Sequence, residues 1–160
     1  MDSRFECMKN TSCLRCGGCC RIRDMPILDE EEDLKLRRRI YDKLGILYIY
    51  TMSRYTISLS EEEKDILLRY AKEQDMELKL IPKKIQLVDG KHVVIDWSLD
   101  HDICPFYDEN EKICIVYESR PLVCKKFPEE HKFDVELRPS DGLGFEEALS
   151  SFVQQASGKR

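Results

Sequence analysis

Eight cysteines sit at the two ends of a 160-residue chain. Cys7, Cys13, Cys16, Cys19 and Cys20 fall within the first 20 residues, Cys104, Cys114 and Cys124 fall near the other end, and the 83 residues from Arg21 to Ile103 contain none. Thiolates are soft ligands suited to zinc and iron. The first group reads Cys13-Leu14-Arg15-Cys16-Gly17-Gly18-Cys19-Cys20. At a two-residue separation the chain turns and directs both sulfurs to one metal, and the glycines allow positive φ and bring amide N–H groups near sulfur. A redox dithiol of the thioredoxin kind would need its pair at a helix start after a strand, and no strand pattern precedes Cys13. Metal ligation is the better reading.

The second group reads Cys104-Pro105-Phe106-Tyr107, then Cys114 to Cys124 and on through Lys125-Lys126-Phe127-Pro128, with nine residues in each gap between cysteines. Asp108 to Lys112 is polar and turn-like, so a hairpin there would bring Cys104 and Cys114 side by side. Ser119 is placed to cap a short helix with Pro121 in its first turn, which would aim Cys124 back at the same site.

The two blocks together resemble the CxxCxxCC cysteine-cluster family, also called YkgJ-like and described as zinc- or iron-chelating. The resemblance is carried by Cys13-x2-Cys16-Gly17-x-Cys19-Cys20, Cys104-Pro105-Phe106, and Cys114-x-Val116-Tyr117-x2-Arg120-Pro121-x2-Cys124-x2-Phe127-Pro128. Val116 stands where Ile is usual and Lys125 where Arg is usual; neither removes a sulfur. The resemblance spans Cys13 to Pro128 and implies metal chelation by Cys13, Cys16, Cys19, Cys20, Cys104, Cys114 and Cys124, with Cys7 a spectator. One related branch is linked to lysine methylation of flagellin.

Four thiolates satisfy one tetrahedral zinc or one [4Fe–4S] cluster, so three of the seven are surplus; two tetrahedral metals would need one bridging thiolate. Cys19 and Cys20, being adjacent, suit a bridge between two metals. Such a site carries surplus negative charge, which calls for cationic and amide donors nearby. Arg15, Arg21, Arg23, Arg120, Lys125 and Lys126 lie close in sequence to cysteines, and Arg120, inside the matched motif, is the candidate donor to the ligands. His101, three residues before Cys104, is a possible eighth ligand, although a surface role suffices for it.

Three functional readings follow. The first is an iron–sulfur cluster protein with an electron-transfer, redox-sensing or cluster-dependent role, which implies a redox partner. The second is a structural zinc module that binds a protein partner without catalysis. The third is a metal-dependent enzyme such as a protein-lysine methyltransferase, by analogy with the flagellin branch. A Gly-x-Gly turn after a strand and the C-x3-C-x2-C spacing of radical enzymes are both missing from the sequence.

Composition narrows the setting. At 42% hydrophobic and 36% charged residues, the chain reads as one domain, residues 1–160, able to bury a core without cross-links. A net charge of −5 with short, interrupted basic clusters argues against nucleic acid as a partner. The apolar run Leu44 to Ser53 is too short to span a membrane. The first residues lack the apolar stretch of a secretory signal, which predicts a cytoplasmic protein with reduced thiols.

The elements that must position the cysteines are predicted as α+β: two helices, a β-hairpin and cysteine-rich loops meeting at a metal centre, with motif blocks 13–20 and 104–128 and a C-terminal extension over 129–160. Asp29 to Lys43 is predicted helical, with Gly45 as left-handed cap, Leu36, Ile40 and Leu44 as buried stripe, and Glu31/Lys35 and Asp33/Arg37 as ordinary i,i+4 helix pairs in preference to a docking surface. Ile46 to Leu59, rich in Ile, Tyr and Thr, reads as one or two strands, with continued helix as the alternative. Ser60 with Glu63 forms a capping box for a helix over Glu61 to Gln74 that buries Ile66, Leu67, Tyr70 and Ala71. Asp89-Gly90 between Ile85 to Val88 and His92 to Trp97 predicts a hairpin, with Pro82 interrupting the β pattern before it. A short amphipathic helix is expected over Phe145 to Gln155, with Ser157 to Arg160 frayed.

Overall fold

A computed structural model of the protein describes residues 17, 20, 28–52, 57–126 and 142–158. The chain folds as a small mixed protein of helices and antiparallel strands. Among the described residues the α-helices are α1 (Glu30–Leu44), α2 (Glu61–Glu73), α3 (Leu122–Lys126) and α4 (Phe145–Ser157). The strands are β1 (Ser58–Leu59), β2 (Leu80–Val88), β3 (Lys91–Leu99), β4 (Tyr107–Asp108) and β5 (Ile113–Cys114). One sheet has the order β1-β3-β2, and β4 pairs with β5 in a second. The short helix expected before Cys124 and the hairpin expected over Asp108 to Lys112 are present as α3 and the β4–β5 pair, and the helix expected from Phe145 is α4, so the described residues hold four α-helices and two hairpins against the expected architecture of two helices and one β-hairpin. No described helix is long and apolar enough to cross a membrane.

The β2–β3 hairpin forms where the Asp-Gly signal placed it. Asp89 and Gly90 both have positive φ, the signature of a type I′ turn whose twist matches the strands, and Val88 pairs with Lys91 across it. Pro82 does not end the strand. It pairs with Trp97 within β2, and register shifts on either side of Lys84 accommodate its missing donor in an irregular ladder.

The helix boundaries agree with the sequence, and the buried faces differ. In α1, Asp29 accepts the Glu32 N–H, and Gly45, at φ +66°, closes the last turn by donating to Tyr41 O. Leu44 is 40% exposed and Leu36 and Ile40 are only half-buried. The inward face instead carries Leu34, Tyr41 and, unexpectedly, Asp33, which is 3% exposed. Asp33 accepts from Arg37 Nε at 2.8 Å and from Met52 N at 2.7 Å, while Arg37 Nη1 reaches Tyr48 O at 3.2 Å. The Asp33/Arg37 pair is therefore an internal clamp on the segment after α1, where an unmet carboxylate would be costly. Leu47 of that segment bridges Ile85, and only Ser58–Leu59 of Ile46 to Leu59 forms a described strand.

In α2 the capping box is present, and Leu67 and Ala71 are buried, but Ile66 is 46% exposed because it lies beside the packed stripe rather than on it. α4 runs to Ser157, whose hydroxyl donates to Val153 O, so the helix continues through the residue expected to fray. It is no loose appendage: Phe145 and Ala148 join Tyr41, Leu47, Ile85 and Leu87 in one core cluster, and Tyr41 Oη donates to Leu143 O at 2.9 Å. A second cluster, built from Ile57, Leu59, Leu67, Ala71, Leu99, Phe106 and Val116, has Cys104, Cys114 and Cys124 packed against it.

Beside Ser58, the irregular part of β2 buries Lys83 at 8% exposure next to Asp96 at 1%. Lys83 Nζ bonds Ser58 Oγ, and Lys84 Nζ stands 3.3 Å from the Asp96 carboxylate. Burial pushes the Lys83 ammonium down to about 8 despite the attraction of Asp96, and burial with the Asp96 charge pushes the Tyr48 phenol up to about 12. Above pH 8 the folded protein gives up the Lys83 proton while the unfolded chain keeps it to about 10.5, so this group makes stability rise with pH across that window. Tyr48 acts in the opposite sense above about pH 10, where the unfolded chain ionises first. Unfolding free energies from urea titrations are expected to climb from pH 8 to 10 by at most roughly 1.4 kcal/mol per unit. Lys83→Met should flatten that climb relative to the wild type, and an identical slope in both proteins would refute the assignment to Lys83.

Candidate metal centre

The second cysteine block is positioned by turn chemistry. Asp108 Oδ1 accepts from Asn110 N at 2.9 Å and Glu111 N at 3.1 Å, an Asx-type turn, and Lys112 has φ +53°. The strands joined by this turn pair Tyr107 with Cys114, and Tyr107 N donates to Cys104 O at 3.0 Å. A 3₁₀ turn over Tyr117–Ser119 follows. Then comes α3, in which Cys124 N donates to Pro121 O at 2.9 Å. Cys124 thus rides on a short helix as the sequence suggested, but the first N–H of that helix, from Leu122, goes to Glu63 Oε1 at 2.7 Å.

The first block meets the second through its backbone. Cys20 N donates to Gly17 O at 3.1 Å, a tight turn, and Cys104 N donates to Cys20 O at 2.6 Å. Gly17 is buried with φ +74°, and a Cβ added there would lie 2.5 Å from the Tyr107 ring. The glycine between ligand candidates is thus required twice, for its left-handed backbone and for the ring seated against it.

Cys20, Cys104, Cys114 and Cys124, all half-buried, line a single cavity of about 50 Å³ with Arg120. That is room for a few water-sized atoms. Much of the remaining wall is apolar, with Leu67, Leu99 and Phe106 from the adjoining core. Arg120 stacks on the Tyr117 ring at 3.7 Å and donates from Nε to Tyr117 O at 2.9 Å, so its guanidinium is held at the cavity wall. Among the described residues no group of three His, Cys, Asp or Glu side chains is arranged to hold a metal ion. Cys13, Cys16 and Cys19, like Cys7, Arg15, Arg21 and Arg23, lie outside the described residues. His101 is engaged elsewhere: its Nε2 accepts the Lys79 N–H at 2.8 Å, fastening the turn after β3 just before Cys104. Lys125 and Lys126 are exposed.

Four cysteines from both ends of a chain around one cavity mark a cysteine-cluster protein, and their soft donor set fits zinc or iron. The chain belongs to the CxxCxxCC family, described as a "putative zinc- or iron-chelating domain", whose model matches residues 12–141. The match continues past Pro128, the end of the recognisable motif. No curated protein and no solved structure matches the chain.

Sequence reasoning missed the Tyr107 ring over Gly17; a glycine inside a ligand motif signals close approach, but not by which group. Gly17→Ala is expected to cost about 1–3 kcal/mol of stability from overpacking and backbone strain. In a Tyr107→Ala background only the left-handed strain of about 1 kcal/mol should remain. Equal penalties in the two backgrounds, measured by urea unfolding, would show that the ring does not bear on Gly17.

Proposed function

We propose that this protein binds an iron–sulfur cluster through cysteines of both motif blocks and serves electron transfer, redox sensing or cluster-dependent chemistry with a protein partner. The observation that carries the reading is the bond from Cys104 N to Cys20 O, which ties the two blocks together beside a cavity lined by four motif cysteines. Cys13, Cys16 and Cys19 supply further thiols from the same motif, more than one tetrahedral zinc requires. A bound cluster would supply reversible one-electron chemistry. The chain's own residues then set its surroundings. Leu67, Leu99 and Phe106 keep water from one side of the cavity, and Arg120, held by Tyr117, offsets part of the negative charge that thiolate ligands bring.

Anaerobic purification followed by elemental analysis and a visible spectrum decides the metal. Iron with acid-labile sulfide and a brown protein is the expected result; a colourless protein carrying zinc would replace this reading with a structural zinc module. Cys20→Ser and Cys124→Ser should each lower the metal content, whereas Cys7→Ser should leave it unchanged. Cys16→Ser should speed amide exchange at Cys124 in the loaded protein, and unchanged exchange there would mean that the two blocks hold no metal in common.

A further inference from the structure

Glu63 stands outside the cysteine motif, yet both of its carboxylate oxygens are committed. Oε2 accepts the Ser60 N–H at 2.9 Å and closes the capping box of α2, while Oε1 accepts the Leu122 N–H at 2.7 Å and opens α3. One side chain thereby joins the starts of two helices that lie far apart in sequence. The α3 helix has five residues, too few to hold itself in place, so its position comes from its neighbours. Val123 packs on the core cluster, Pro121 is buried, and the bond to Glu63 fixes the remaining end. Cys124 follows Leu122 by two residues and lines the cavity.

We propose that Glu63 is a positioning residue for the metal centre: by accepting the Leu122 N–H it sets the start of α3 and, through that helix, the place of Cys124 at the cavity. The inference rests on the reading of Cys124 as a metal ligand. Glu63 touches no metal itself, and its effect passes through one backbone bond.

Titration of the reduced protein with Zn²⁺ against a chromophoric chelator tests the link, because thiolates take up zinc whether or not iron is the native metal. Glu63→Ala is expected to weaken the apparent affinity roughly five-fold, the equivalent of one lost capping bond. Ser60→Ala removes the hydroxyl that accepts the Glu63 N–H at the same helix start, and so weakens α2 while leaving the Leu122 bond intact; it should bind Zn²⁺ as the wild type does. Leu122→Pro removes the donor, at a first helical position where proline is well tolerated, and exchanges a side chain that is 38% exposed. It should reproduce the Glu63→Ala loss, and the double variant should be no weaker than either single one. Should Glu63→Ala fail to fold, Leu122→Pro against Ser60→Ala carries the same comparison.

Wild-type affinity in Glu63→Ala or in Leu122→Pro, or additive losses in the double variant, would overturn the proposal. If the wild type takes up no metal at all, the reading of Cys124 as a ligand fails by itself, and the link is then read in the metal-free protein. There the Cys124 amide, bonded to Pro121 O, should exchange faster in Glu63→Ala than in Ser60→Ala. Equal rates would sink the link too.

Discussion

A backbone hydrogen bond, Cys104 N–H to Cys20 O at 2.6 Å, joins the two cysteine blocks among the described residues, next to the Tyr107 ring seated against Gly17. Bringing together segments separated by 83 cysteine-free residues has an entropic cost that grows only slowly with length. What makes the meeting productive is that the intervening chain is itself folded. The loop leaving β3 is tied back by Asp100 N to Lys79 O and by Lys79 N to His101 Nε2, so Cys104 starts from a fixed point. The Asp108 turn then folds Cys114 back beside it.

The cavity is continuous with the hydrophobic core rather than grafted on its surface. Cys104, Cys114 and Cys124 pack against the cluster that holds Leu67, Leu99 and Phe106, and Phe106 also meets Tyr70 of α2 edge to face. The placement of these thiols and the packing of the core are therefore set by the same contacts. A separate cluster, around Tyr41, Leu47 and Phe145, supports the opposite part of the β2–β3 hairpin through Ile85 and Leu87 and holds α1 and α4 against it.

What the sequence made legible were features carried by local chemistry. The capping box at Ser60, the Asp-Gly turn, the left-handed cap at Gly45 and the cysteine spacing each involve residues within a few positions of one another, and each is seen in the fold or in the family match. What stayed hidden depends on partners distant in sequence. Asp33 has the spacing of a surface ion pair with Arg37, and only the return of Met52 to its carboxylate makes it internal. Ile66 fits the helical stripe, yet the packed face passes beside it. Glu63 was visible as half of a capping box, while its second acceptor role required knowing where Leu122 lies. Pro82 inside a strand is followed by register shifts on either side of Lys84 that no local pattern announces.

The wide separation of the blocks also has a consequence during synthesis. Eighty-four positions divide Cys20 from Cys104, and at about 5–20 residues per second a ribosome takes roughly 4–17 s to cover them. Throughout that interval the glycine-rich cysteines of the first block are already made, while the chain that must shelter one of them does not yet exist. The first block can therefore join Cys104 only after the folded middle of the chain has been made, so closure of the cavity is a late step relative to synthesis of Cys20.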